Sequence, residues 1–402
     1  MKNLTLLLTM LVLAFNTNAQ TNIFEPSKTQ FMIRGYGHTG FNYQNSEGDN
    51  ESSFVGSAFS PIFLFKHSDR LMFEAELEFE LEHNQLEVGL EYADVMYVLN
   101  KHMTVRAGKF LLPFGTFMER LHPSWINRFS TKPLGFGHGG ITPASGIGVE
   151  LRGAFDIGKS KLNYSVYGVN GPRLKDGTGG EPEEAGMLQF QNFEDNNLSK
   201  AIGGRLGILP FADSSTELGF SAYSSGKLGE KDSEYEDVGA FLYAIDFSFV
   251  KQIPELSGFI DIKAQYSKSN VENAHYVEIH DEDGGDGDGG DEGGHKIGEG
   301  EGVEYTFDNQ SDAFYAQLSY RPTMATNNFL KNLEFVGRYS NFNTPEGSLW
   351  EEKSTQYAFG INYWLSWRSV VKLSFQTTDR EGGHDGGFSK TEAISLHWAI
   401  GF

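Results

Sequence analysis

The stretch Lys390-Thr-Glu-Ala-Ile-Ser-Leu-His-Trp-Ala-Ile-Gly-Phe402 alternates strictly. Ile394, Leu396, Trp398, Ile400 and Phe402 share one face of an extended chain, while Ala393, Ser395, His397, Ala399 and Gly401 share the other. One face is therefore large and apolar, and the other small or polar. A soluble sandwich or propeller can use such a strand, but an alternating strand that stops on an aromatic fits the closing strand of an outer-membrane barrel. There the apolar face meets lipid and the other face a wet lumen.

The opposite end of the chain agrees. Met1-Lys2-Asn3 is a short basic start, Leu4 to Phe15 is a continuous apolar run, and Thr17-Asn18-Ala19 offers small residues for cleavage. Residues 1–19 read as a secretory signal peptide, leaving 20–402 as one barrel domain. No later segment has the roughly eighteen consecutive apolar residues that a spanning helix needs. The absence of cysteine excludes disulfides and thiolate metal sites. A hydrophobic content of 39% is low for a large dry core, whereas 14% aromatics and 48 glycines are high. A wet-lumen barrel accounts for all three, because one face alone must be apolar, aromatics gird the interfaces and glycine serves bends and loops.

The net charge of −22 argues against nucleic acid as a partner. Half of it is local, since twelve acids and one lysine lie between Glu272 and Glu304. The remaining chain is only mildly acidic.

Alternation predicts sixteen strands, near 30–43, 54–66, 71–81, 86–98, 102–110, 145–156, 160–170, 200–209, 215–224, 238–250, 258–270, 310–320, 332–342, 354–365, 369–379 and 390–402. Sixteen is an even number, as single-chain bacterial barrels require. Every second link is short; the others are mostly long, including 44–53, 111–144, 171–199 and 271–309. Short turns and long loops segregate to opposite membrane faces in such barrels. Tyr363, Trp364, Trp367, Trp398 and Phe402 cluster where an interfacial girdle belongs.

Strand 71–81 carries the sharpest pattern. Leu71, Phe73, Ala75, Leu77, Phe79 and Leu81 face one way, and Glu74, Glu76, Glu78 and Glu80 the other, with Glu82 just beyond. On the next strand Glu87 and Glu91 take the same face, opposite Val88, Leu90 and Tyr92. Five carboxylates in a row must be wet or partnered. They are either an acidic stripe on a channel wall or a solvated, salt-bridged face. Loop 111–144 carries Arg120, His122, Arg128, Lys132 and His138 and is expected to fold into the lumen near that stripe, where basic groups opposite acids would make a transverse field. Parity puts Arg34, Arg106, Arg152, Arg205, Lys263, Arg338 and Lys372 on the lumen face with Glu150, Glu217, Asp246, Asp261 and Glu334. So mixed a lumen favours a water-filled pore over a plugged one.

Loop 271–309 is acidic and rich in Gly, Asp and His. Carboxylates such as Asp281, Asp283, Asp286 and Asp288 on flexible glycine turns suit Ca²⁺, and His275, His280 and His295 suit Zn²⁺. The spacing is not that of an EF-hand, and a solvated extracellular loop is the competing reading. Beyond this no cofactor is expected. Nor is an enzyme: neither G-x-S-x-G nor H-E-x-x-H occurs, and His275-Tyr-Val-Glu-Ile-His280 has the wrong spacing for a zinc-protease helix.

Several phrases resemble one family. Arg106-Ala-Gly-Lys-Phe-Leu-Leu-Pro-Phe-Gly115, Ser165-Val-Tyr-Gly-Val-Asn-Gly171, Gly204-Arg-Leu206, Arg338-Tyr-Ser-Asn-Phe342, Gly360-Ile-Asn-Tyr-Trp364 and Leu396–Phe402 are similar to strands of the phosphate-selective porin O and P family, in the right order. The resemblance implies a sixteen-stranded outer-membrane porin of a Gram-negative bacterium, trimeric, with the third loop in the lumen. Anion selectivity in that family rests on Arg and Lys clusters, whereas this chain offers five glutamates on one strand. The resulting expectation is passive diffusion of small hydrophilic solutes or ions with a weak cation preference. An anion porin and a surface metal-binding barrel are the alternatives.

Overall fold

A computed structural model of the chain describes residues 29–82, 85–177, 181–191, 193–279, 302–382 and 387–402. The signal peptide expected over 1–19 lies outside them. The first strands are β1 (Gln30–Ser46), β2 (Asp49–Lys66), β3 (Leu71–Glu82), β4 (Gln85–Asn100), β5 (Met103–Leu111), β6 (Ser145–Ile157) and β7 (Ser160–Asn170). Next come β8 (Arg173–Leu174), β9 (Leu188–Gln189), β10 (Lys200–Leu209), β11 (Thr216–Ser225), β12 (Ala240–Ile253) and β13 (Gly258–Val271). The last are β14 (Tyr276–Ile279), β15 (Gly302–Tyr305), β16 (Gln310–Arg321), β17 (Leu333–Asn343), β18 (Glu352–Ser366), β19 (Ser369–Gly382) and β20 (Phe388–Gly401). Sixteen of them close into an antiparallel barrel in chain order, with β20 against β1. The other four form small hairpins, β8–β9 and β14–β15, within the long connections. Alternation missed those hairpins because two to four residues are too few to show a period.

Burial is inverted relative to a soluble protein. On β20 Leu396 and Trp398 are 50% and 52% exposed, whereas Ser395 and His397 are 4% and 6%. The same holds on β12, where Phe241 and Ile245 are exposed while Asp246 is buried. A closed barrel satisfies every ladder group internally, so an apolar outer belt on it can sit in hydrocarbon. No described helix is long and apolar enough to cross a membrane. Placing a charge in the belt tests the embedding. Leu396→Arg is expected to cost about 2–4 kcal/mol of folding stability in lipid vesicles, the cost of Arg near the bilayer middle. Denaturant titration in vesicles measures it, and a loss near zero would remove Leu396 from the lipid.

Three local expectations are corrected. No open loop spans 44–53: β1 and β2 continue outward as a paired hairpin to a two-residue turn at Glu47 (φ 54) and Gly48 (φ 104). Positive φ at both positions is the type I′ geometry that suits strand twist. Its arms, residues 44–46 and 49–51, are polar on both faces, so they show no alternation. Second, Tyr92 faces the lumen. The β3–β4 register shifts between Glu76 and Leu77, where Glu76 opposes Tyr92 and Leu77 opposes Leu90, so Glu91 is the extra residue of a bulge. Third, Trp364 is buried, its indole donating to Glu334 Oε2 at 2.9 Å, so it is not part of the girdle. Trp367 and Trp398 are exposed, as a girdle requires.

Candidate functional site

The segment between β5 and β6 enters the lumen, and donors from the barrel wall hold it there. Irregular backbone buried inside a barrel needs partners for its N–H and C=O groups. At its start Gly115 N–H donates to Ser221 Oγ (3.0 Å), and Thr116 N–H to Gln265 Oε1 (2.9 Å). A Cβ on Gly115 would lie 2.0 Å from Gln265 Nε2, and the residue adopts φ +65°, so only glycine permits this approach. A short π-turn over Phe117–Leu121 follows, burying Phe117 and Met118 against Phe136, Ala313 and Tyr315.

Further along, Lys372 Nζ donates to the carbonyls of Ser124 (2.5 Å), Asn127 (2.6 Å) and Phe129 (3.2 Å). Arg338 donates to Thr131 O and Oγ1, both at 2.9 Å, to Lys132 O at 3.2 Å and to Gln356. Asn362 Nδ2 donates to Arg128 O at 3.0 Å. The loop is thus in the lumen, as expected. The role of its supports differs. Arg338 and Lys372 were placed on the pore wall by parity, but they are buried beneath the loop and grip its backbone. Parity distinguishes inside from outside, not open wall from covered wall.

Most other lumen charges are paired. Arg106 meets Glu150 at 2.6 Å, and Arg205 meets Asp246 at 2.6 Å and Glu217 at 3.0 Å. Arg152 bonds Glu119 at 2.8 Å, and Lys263 bonds Asp261 at 2.5 Å. Arg120 and Arg128 do not face the acidic stripe: Arg120 turns to Glu217 (2.8 Å), and Arg128 to Glu334 (2.9 Å) and Asp261 (3.4 Å) on the far wall. Arg34 is exposed near one rim, its Nε 2.9 Å from Met32 sulfur. Asp94, buried 3.9 Å from Arg106, was missed by parity because the bulge reverses it. A switch of the apolar set from Leu86, Val88 and Leu90 to Val95 and Tyr97 was the available signal.

The stripe itself divides. Glu76 is buried and accepts from Tyr36 O–H at 2.6 Å, so it belongs to the wall's structure. Glu74 is half-buried, its Cα opposite that of Asp94. Glu78 and Glu80 line a cavity of about 860 Å³ that Lys132, His122 and His138 reach from the loop. His122 accepts or donates at Tyr36 O–H (3.4 Å) and contacts Met118 O. His138 Nε2 lies 3.1 Å from both oxygens of Glu91. Glu87 is exposed opposite Glu80, and Glu82 ends β3. A second cavity of about 390 Å³ is lined by Arg120, Arg152, Arg205 and Glu119. On another part of the lumen, Phe110, Tyr167, Tyr223, Leu242 and Phe307 pack together in one apolar cluster.

In the metal-binding candidate loop, His275 is exposed, and its carbonyl accepts from Tyr235 O–H at 2.9 Å. His280, Asp281, Asp283, Asp286, Asp288 and His295 lie outside the described residues.

Solved structures share this architecture. The outer-membrane channel DcaP of Acinetobacter baumannii superposes with a TM-score of 0.58 at 14% identity, over 94% of this chain and 99% of that one. The fold is that of the outer-membrane porins. The anion-selective porin from Comamonas acidovorans matches with a TM-score of 0.53 at 11% identity, over 93% of this chain and 100% of its own. OmpF of Salmonella typhi, solved with daunomycin, gives 0.53 at 10% identity over 93% and 98%. No protein-family model and no curated protein matches the chain. The porin fold is shared without close sequence kinship.

Proposed function

We propose that the chain is a porin of a Gram-negative outer membrane, passing small hydrophilic solutes or ions by passive diffusion with a weak cation preference. Residues 1–19 serve export, 20–402 form the barrel, and the molecule assembles as a homotrimer in outer-membrane lipid. No covalent chemistry is involved. The observation that supports the selectivity is the wall of the cavity beside β3: Glu78, Glu80 and Glu91 line it against Lys109 and Lys132, whereas Arg106, Arg205, Arg338 and Lys372 are buried in structural contacts. A fixed negative wall concentrates cations and repels anions.

An anion-passing, phosphate-type porin is the second reading. Arg120 and Arg152 at the smaller cavity favour it, along with the phrases shared with the phosphate-selective porin O and P family. Capture of Ca²⁺ or Zn²⁺ by loop 271–309 is a separate property that either porin could carry. Planar-bilayer recording of the purified protein across a salt gradient tests the main reading. Stepwise conductance with a cation-side reversal potential is expected, and an anion-side potential would move the assignment to the second reading. A folded protein without conductance would end both.

A further inference from the structure

We propose that Glu78, Glu91 and His138 form a binding site for a divalent transition-metal ion of the Zn²⁺ type, set where the in-folded loop meets the acidic wall. The proposal deepens the porin reading above. Three separate segments supply the donors: Glu78 from β3, Glu91 from the β4 bulge and His138 from the loop. Their ligand atoms lie within 4.8 Å of one another, in the one such group among the described residues.

The geometry is close to a coordination shell. Donors about 2.0–2.2 Å from Zn²⁺ at tetrahedral angles stand roughly 3.3 Å apart. His138 Nε2 already stands 3.1 Å from both Glu91 oxygens. Glu78 lines the open cavity beside them, with a carboxylate oxygen within 4.8 Å of the other two ligand atoms. Glycines on either side of His138, Gly137 at φ +98° and Gly139 at φ +79°, let the loop turn tightly enough to present the imidazole.

Charge argues the same way. The Glu91–His138 contact on its own needs one carboxylate. A second carboxylate within 4.8 Å repels the first, and a cation shared by the two relieves that repulsion at closer range than Lys109 or Lys132 on the cavity wall. Two carboxylates and a neutral imidazole sum to −2, the complement of a divalent ion. An imidazole ligand selects Zn²⁺, Co²⁺, Ni²⁺ or Cu²⁺ over the hard ions Mg²⁺ and Ca²⁺. A fourth position opens to the cavity of about 860 Å³, so a bound ion stays in contact with the lumen and its current. Lys109 and Lys132 on the same cavity oppose the ion, which favours exchangeable rather than permanent binding.

The test uses the full chain, parent and His138→Ala, with free Zn²⁺ buffered in a planar bilayer. Micromolar Zn²⁺ is expected to reduce single-channel conductance saturably in the parent, with Mg²⁺ at the same concentration without effect. Loss of one ligand should raise the half-blocking concentration at least about tenfold, the equivalent of 1.4 kcal/mol. Glu78→Gln should act in the same direction. Heat-modifiable gel mobility establishes that each variant is folded. Block of equal strength in His138→Ala would overturn the site and move binding to other ligands, the histidine-rich outer loop among them. If the protein does not conduct at all, the porin reading fails and the site is still decided by Co²⁺ absorption. A visible band lost in His138→Ala supports it, and no band in the parent overturns it.

Discussion

Replacing Lys372 with methionine is expected to release part of the lumen loop, raising single-channel conductance and opening the loop to protease. The Lys372 ammonium is 1% exposed and uses its three N–H donors on the carbonyls of Ser124, Asn127 and Phe129. Methionine fills the same volume with no donor. Three carbonyls then lose their buried donor, and the least costly escape is for residues 124–129 to lift into the adjoining cavity, which Ser124, Asn127 and Phe129 already line. A hydrogen bond to a charged group contributes about 1.5–3 kcal/mol, and the ammonium's own burial opposes it, so a net loss of roughly 3 kcal/mol is expected for the set. Arg338 still holds Thr131 and Lys132, so the loop loosens rather than leaves. Trypsin should then cut after Arg128 in the folded barrel, and current records should show a larger, noisier open level. Parent-like conductance with full protease resistance would mean that Lys372 is not an anchor.

Removing the two wet glutamates should abolish most of the cation preference. A monovalent ion about 4 Å from a carboxylate in water gains about 1 kcal/mol, roughly a fivefold rise in local concentration. In Glu78→Gln/Glu80→Gln the cation-to-anion permeability ratio is expected to fall several-fold at 0.1 M salt. Near 1 M salt the Debye length shrinks to about 3 Å, and the difference between parent and variant should nearly vanish. Glu76→Gln supplies the contrast: its carboxylate is buried on Tyr36 and should move the reversal potential little. A double variant as cation-preferring as the parent would place selectivity elsewhere, with Glu74 and Glu87 next in line.

How far the sequence reaches follows from what solvent imposes. Lipid forces every outward residue of a spanning strand to be apolar, so the sixteen strands are written as alternation from Ile394–Phe402 back to β1. Where that pressure ends, legibility ends. The outer arms of β1 and β2 around Glu47 are polar on both faces and read as loop. The bulge at Glu91 shifts the period by one and hid Asp94 while misplacing Tyr92. Inside the barrel, Arg338 and Arg152 share the lumen-facing parity of their strands. Only the path of residues 112–144 makes one a buried anchor and leaves the other beside open water. Contacts between His138 and Glu91, 47 residues apart, have no local signature at all.

The seam between β1 and β20 sets the order of assembly. Tyr36 pairs with Gly401, 365 positions away (401 − 36), while nearly all other barrel pairings join chain neighbours. The entropy of bringing distant segments together grows only as the logarithm of their separation, but that contact must wait until the intervening hairpins have formed a curved sheet. Until then both edges are unpaired and sticky toward other chains. The final zippering, with Phe402 N–H on Gly35 O at 2.9 Å and the Phe402 ring stacked on Phe59 at 5.8 Å, therefore depends on a long contact-order step.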